Sequence, residues 1–401
     1  MNIAYVYPWD IVGDPSAPAR LASLGVDAVA LAASYHSTRA ATPYHPDHRV
    51  LDVPHPAFYL PIRPSSWGRL VPASPTWTPE DAYLQARDAL KAVGLQVHAW
   101  TVLTHNSHLG TTNPDLAVRN AFGDPYPYAL CPAHEDVLEY CERLVREILT
   151  VGEPDGLILE ACGPLGFGHQ SVHEKTSGAD WTTTDSNLLS LCFCTSCAPR
   201  YPSTTRDRVR AAIDHTPLLE AGHLEAERTG DPVAPSTNAD SAAPNPPFDT
   251  IEEALGPLAD EIRSIRVELS TVLRQRLVAI ARGIAPHIPI TLHANPDPWA
   301  AGAFAALPAG EPEADVLVAN CWGDPATDAT RLAQLADLTT PGQRVGAYVL
   351  ALPPRPADAT TLADHLRTYA KAGATEFHLY HAGLASPQRL AALTQALRLS
   401  S

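Results

Sequence analysis

Short apolar runs alternate with helical segments from one end of this 401-residue sequence to the other, and the number of alternations limits the fold more than any other feature. Runs rich in Val, Ile, Leu and Tyr occupy Ile3–Tyr7, Asp27–Ala32, Gln96–Val102, Gly156–Glu160, Pro289–His293, Asp315–Asn320, Arg344–Ala351 and Glu376–Tyr380. Helical periodicity follows most of them, over Ala17–Leu24, Ala82–Val93, a segment from Pro132 to Thr150, Ile251–Arg282, Asp328–Ala336, Thr360–Ala372 and Ser386–Leu397. Eight strands alternating with helices predict a closed (β/α)8 TIM barrel, read as one domain over residues 1–401. An open doubly wound sheet would need a glycine-rich phosphate loop after its first strand, where Tyr7-Pro8-Trp9-Asp10 stands instead. The long departure from the alternation is an insertion after strand four, residues 161–249. It contains a stretch crowded with Pro, Ala, Ser, Asn and Asp, Thr229 to Pro247, that reads as a mobile excursion.

Composition narrows the function classes. With 45% hydrophobic and 18% charged residues, the chain has the makings of a sizeable core and is not disordered. A formal charge of −16 repels the phosphate backbone, so nucleic acid is not expected as a partner. No apolar run approaches the roughly 18 residues of a membrane span. Met1 leads straight into the first strand with no basic segment and apolar core behind it, so a cytoplasmic location without membrane attachment is expected.

In a barrel of this kind the site lies at the carboxyl ends of the strands. Strand one ends in Tyr7, Trp9 and Asp10, strand two in Tyr35 and His36, and strand three carries Trp100 and reaches His105. Strand five ends in His293 and Asn295, strand six in Asn320, Trp322 and Asp324, and strand eight in Tyr380 and His381. Aromatic faces among Asn, His and Asp suit a sugar, whose C–H faces stack while its hydroxyls need donors and acceptors. The expected substrate-binding set is Trp9, Tyr35, His36, Trp100, His105, His293, Asn295, Trp322 and Tyr380, facing a small-molecule or oligosaccharide substrate. Glu160 closes the apolar strand Gly-Leu-Ile-Leu-Glu, where desolvation is expected to raise its pKa toward general-acid duty. A glycosidase normally opposes two carboxylates. Asp324 is the preferred second, with Asp10, Asp297 and Glu174 as alternatives. The segment His169 to Lys175 is a further candidate for a substrate-binding loop over the mouth, or else a solvated one.

The sequence has seven cysteines, and Cys192, Cys194 and Cys197 form a C-x-C-x-x-C cluster. Three thiolates at this spacing can take three corners of a tetrahedral zinc site, with the fourth from Cys131, Cys162 or His173. A barrel with Glu at the end of strand four, followed by an insertion reading Leu-Cys-Phe-Cys-Thr-Ser-Cys-Ala-Pro-Arg-Tyr, resembles family-42-type β-galactosidases and a looser group of glycoside-hydrolase-like barrels. The resemblance implies a structural zinc held by Cys192, Cys194, Cys197 and, as the earlier ligand, Cys131. Two features depart from those galactosidases. Leu159 replaces the Asn before the strand-four acid, and strand seven, Val-Gly-Ala-Tyr-Val-Leu-Ala-Leu, offers no nucleophilic Glu. The leading expectation is therefore a carbohydrate-active barrel, a glycoside hydrolase with Glu160 as general acid or base. Its rivals are a metal-dependent sugar isomerase or lyase, which needs several of Glu160, His293, Asp324 and His381 to converge, and a non-catalytic sugar-binding barrel.

Overall fold

The computed structural model describes residues 1–168, 175–214, 248–307 and 314–400. Parallel strands β1 (Asn2–Val6), β2 (Ala28–Tyr35), β3 (Gln96–Val102), β4 (Gly156–Glu160), β5 (Ile290–Asn295), β6 (Val316–Cys321), β7 (Arg344–Leu350) and β8 (Glu376–Tyr380) pair in sequence order. The β8–β1 pairing then closes the barrel. The helices outside it are α1 (Ala17–Ala22), α2 (Ala82–Ala92), α3 (Glu135–Glu147), α4 (Ala259–Ile284), α5 (Pro325–Asp337), α6 (Ala359–Lys371) and α7 (Pro387–Ser400). Each turns an apolar stripe inward, as α3 does with Val137, Leu138, Cys141, Leu144 and Val145. None of the described helices is long and apolar enough to cross a membrane.

Local chemistry shifts several boundaries from those read in the sequence. The first strand stops at Val6 because Pro8 starts a 3-10 turn, Pro8–Asp10. The second runs on to Tyr35, because Ser34 still pairs with Thr101 past a bulge and Tyr35 pairs with Ala57. The pattern from Ile251 to Arg282 is two helices, Ile251–Leu255 and α4, divided where Gly256 takes φ 55° and Pro257 withdraws a backbone donor. Insertions follow β2 and β3 as well as β4. The first carries a hairpin of Thr38–Ala41 with Val50–Val53, and the second a helix, Ser107–Thr112, and a hairpin of Ala117–Arg119 with Pro125–Leu130. The described part of 161–249 holds the helices Thr183–Leu189 and Thr205–Ile213, and the Thr229–Pro247 stretch lies outside the described residues.

The barrel interior is aromatic and rich in histidine. Tyr5 of β1 meets Trp100 of β3 and Tyr348 of β7 edge to face, with centroids 4.9 and 4.8 Å away. Removing one such fully buried ring costs about 3–5 kcal/mol, so this layer is central to the core's stability. Two small residues make room for imidazoles. A Cβ on Gly156 would come within 2.6 Å of the His98 ring, and one on Gly346 within 3.0 Å of the His378 ring.

Two of the buried histidines carry a cost that depends on pH. His98 and His381 have no hydrogen-bond partner at either ring nitrogen, and burial pushes their pKa values down to about 4 and about 3. Folded, they stay neutral where the unfolded chain would take up protons, so their contribution is intact above the ordinary value of 6.5 and is lost as pH falls below it. We expect the unfolding equilibrium constant to rise about tenfold per pH unit per histidine between pH 6.5 and about 4, less any opposing term from carboxylates. Denaturant titrations of the parent and of His98→Phe check this. The variant should lose part of the pH slope, and equal slopes would mean that His98 is not buried in its neutral form.

Candidate active site

The β4 register delivers Glu160 to the floor of a cavity of about 730 Å³ at the carboxyl ends of the strands. Its walls include Tyr35 and His36 after β2, Trp100 of β3, Asn295 of β5, Asn320 and Trp322 after β6, Tyr348 of β7 and Tyr380 of β8, with Phe304 and Arg331 completing the rim. That volume is within the range typical of small-molecule sites. Trp322 is exposed and lies against Tyr348, with centroids 5.4 Å apart at 18°, so one wall presents a broad aromatic face. Asn295, Asn320 and Arg331 also line the cavity, the two amide oxygens accepting from the backbone N–H groups of Asp297 and Trp322 and the guanidinium donating to the Asn320 carbonyl and Asp328.

Glu160 is 5% exposed, and its partners come from the strands on either side of β4. The Trp100 Nε1–H donates to Glu160 Oε2 at 2.7 Å, and His293 Nδ1 lies 3.3 Å from the same oxygen. Burial pushes the Glu160 carboxyl up, but the His293 ring, His36 and the Trp100 N–H together reverse this and hold it below its ordinary value of 4.5. The sequence expectation of a raised, general-acid pKa is therefore corrected. Desolvation acts as anticipated and is outweighed by the Trp100 N–H from strand three and the His293 ring from strand five.

Of the anticipated binding residues, the structure brings Tyr35, His36, Trp100, Asn295, Trp322 and Tyr380 to the cavity wall. Three others stand behind it. Trp9 is buried, stacked on Tyr7 at 4.4 Å, because the 3-10 turn after β1 folds it against the core. His105 is buried behind His36, with ring centroids 4.3 Å apart. His293 lies fully buried beneath Glu160, where it touches the carboxylate rather than any ligand. Tyr348 and Phe304 were not singled out in the sequence. Tyr348 carries a signal, as the one aromatic side chain in a strand that is otherwise small or aliphatic after Arg344, whereas Phe304 lies in a loop with none.

Asp324 is not the opposing carboxylate. Its Oδ2 caps α5, accepting from the backbone N–H groups of Ala326 and Thr327 at 3.0 and 3.1 Å, and the residue does not line the cavity. Asp10 is buried in a separate small pocket with Arg20, Tyr44 and His45, where burial, opposed by the Tyr7 N–H and Arg20, pushes it up to about 7. Asp297 stands in a neighbouring groove. Glu174 and most of the His169–Lys175 segment lie outside the described residues. Among the described residues that line the cavity, Glu160 is the only carboxylate.

The cysteines form a separate site. Cys131, at the end of the hairpin after β3, meets Cys192, Cys194 and Cys197 from the insertion after β4, all four sulfurs lying within 4.8 Å of one another. Sγ of Cys131 is 3.4, 3.7 and 3.8 Å from those of Cys197, Cys194 and Cys192. Ligands about 2.3 Å from a central ion at tetrahedral corners are spaced about 3.8 Å, so the group fits a four-coordinate metal. Thiol donors from its three neighbours push Cys194 down, while Cys131 is pushed up, as expected when packed thiols must share one negative charge. Cys162 stands elsewhere, beside Cys141. Among the described residues this is the one group of three or more His, Cys, Asp or Glu side chains placed to hold a metal. The strand-end ligand set that a metal-dependent isomerase needs is thus not assembled from them.

No protein-family profile matches the chain, and no curated protein sequence matches it. Solved structures do. The PgaB (BpsB) glycoside hydrolase domain from Bordetella bronchiseptica superposes with a TM-score of 0.55 at 15% identity, over 100% of this chain and 97% of that one. α-L-Fucosidase isoenzyme 2 from Paenibacillus thiaminolyticus gives 0.54 at 10% identity over 99% of this chain, which spans only 49% of the fucosidase. Gan42B, a GH42 β-galactosidase from G. stearothermophilus, gives 0.51 at 10% identity, over 100% of this chain and 56% of the galactosidase. These likenesses establish a barrel fold shared with glycoside hydrolases and a distant similarity to the GH42 enzymes.

Elemental analysis of protein purified without added metal should find close to one tightly held ion per chain. Cys131→Ser should release it and lower the thermal midpoint, because the site ties the loop after β3 to the insertion after β4. Metal-free protein with four reactive thiols and an unchanged midpoint would leave the group as packed cysteines.

Proposed function

We propose that this chain is a glycoside hydrolase in which ionised Glu160 acts on a sugar seated against the Trp322 and Tyr348 face. The carrying observation is the placement of Glu160, a buried carboxylate held in its charged form at the floor of an aromatic-walled cavity of sugar-binding size. A carboxylate kept charged at rest has no proton to give a leaving oxygen. It can attack the anomeric carbon, or take a proton from a water that does, and in either case the C1–O bond breaks and its electron pair leaves with the glycosidic oxygen, which solvent then protonates. The roles of Tyr35, His36, Asn295 and Tyr380 in this reading are to bind and orient the sugar. For the ion at the four cysteines we propose zinc in a purely structural role, since four thiolates leave no open position for chemistry.

The second reading is a sugar-binding barrel without turnover, and its support is specific. No second carboxylate opposes Glu160 among the described residues of the cavity wall.

Assays on a panel of aryl glycosides separate the two. The hydrolase reading expects turnover by the parent and a loss of at least about 10³-fold in Glu160→Gln, with sugar affinity kept within about tenfold. Because Glu160 works as a base or nucleophile, kcat/KM should be flat near neutrality and fall with acid only below the ordinary glutamate value of 4.5. Sugar binding with no turnover in either protein would select the binding reading, and equal turnover in both would remove Glu160 from the chemistry.

A further inference from the structure

Glu160 is one end of a polar chain that runs through the barrel to its opposite face. His293 Nε2 is hydrogen-bonded with the Tyr5 hydroxyl at 3.0 Å, and its Nδ1 lies 3.3 Å from Glu160 Oε2, within ion-pair distance but without hydrogen-bond geometry as the ring stands. The same hydroxyl lies 3.0 Å from Nδ1 of His378, whose Nε2 stands 3.6 Å from Oε2 of Glu376. Glu376 is bound in turn by Arg344. Tyr5, His293 and His378 are all 0% exposed, so no solvent proton shortcuts the path. Other groups face its members: Trp100 and His36 near Glu160, the Tyr348 ring against His293, His98 near His378, and the Met1 amino group near Glu376.

The chain is one proton short. Taking both carboxylates as ionised and both rings as neutral, His293, Tyr5 and His378 hold three protons between them for four close approaches, of which the two to the Tyr5 hydroxyl are hydrogen bonds and the two to the carboxylates are ion-pair distances. One contact goes without, and the distances say which. The Glu376 contact is the longer, and Glu376 alone among the two carboxylates has a guanidinium to compensate it. We propose that Tyr5 and His378 are positioning residues that, backed by the Arg344–Glu376 pair, fix His293 as the Nδ1–H tautomer and so keep a protonated nitrogen beside Glu160. The hydroxyl of Tyr5 then donates to His293 Nε2 and accepts from His378 Nδ1–H, and the bare Nε2 of His378 faces Glu376. This rests on the reading of Glu160 as the reactive carboxylate, to which it adds how that carboxylate is held ready.

The arrangement makes a change at one face visible at the other. Arg344→Met leaves Glu376 needing a donor. His378 then turns its proton to Nε2, Tyr5 donates to His378, and His293 donates from Nε2, leaving a bare Nδ1 toward Glu160. Adding Glu376→Gln supplies an amide donor to His378 and restores the original order. Nitrogen-15 NMR of histidine-labelled protein at neutral pH reads each ring nitrogen as bare or protonated, with no substrate present. The expected result is Nδ1–H at both His293 and His378 in the parent, a switch to Nε2–H at both in Arg344→Met, and reversion in the double variant. An Nε2–H His293 in the parent overturns the proposal by itself, even if every variant fails to fold, and so does an Arg344→Met protein with unchanged tautomers. Hydrolysis assays fail independently: a chain with the expected tautomers and no turnover refutes the hydrolase reading alone, and an Nε2–H His293 in an active enzyme refutes only the relay.

Discussion

A carboxylate taken out of water must be met by polar partners, and in this protein those of Glu160 come from the two strands that flank it. Trp100 reaches it from β3 and His293 from β5, so the charge is tolerated only while the parallel register of β3, β4 and β5 holds. That requirement explains features remote from the mouth. His293 needs an acceptor or donor on its far nitrogen, which Tyr5 provides, and Tyr5 is held among Trp100, Tyr348 and His378 in the layer below. The aromatic packing and the polar chain are one construction, in which rings supply apolar bulk and their heteroatoms carry hydrogen bonds across the core.

The architecture was legible in the sequence because period and count sufficed. Each barrel strand is a short apolar run, and each helix that follows closely has a stripe of buried residues, so eight repeats pointed to closure without any contact being known. Boundaries went astray where a single residue's chemistry intervened, as with Pro8 at the end of β1 and Gly256-Pro257 before α4. The hairpin after β2 was missed because its strands have four residues each and are mostly outside the core, and the one after β3 because its first strand, Ala117–Arg119, has only three residues and two prolines interrupt its second, Pro125–Leu130.

The site was legible only in part, and the misses share a cause. Strand-end position finds the residues near the mouth, but not which way a side chain turns. Trp9 and His105 belong to the right loops and face the core, and Asp324 has the right charge but is committed to starting α5. The pKa of Glu160 was misjudged because sequence shows the apolar neighbours along its own strand and hides the donors on adjacent ones. The cysteine group shows the opposite case. Its local spacing groups three thiols, and the fold brings Cys131 to them from 61 positions before Cys192.

The position of a bound sugar relative to Glu160 tests the account most directly. Crystals of Glu160→Gln soaked with oligosaccharides should show one ring stacked on the Trp322 and Tyr348 face, with its anomeric carbon either about 3–3.5 Å from the side chain at position 160 or separated from it by a single bridging water. A sugar ordered in the neighbouring groove instead, with the cavity floor occupied by water alone, would contradict it.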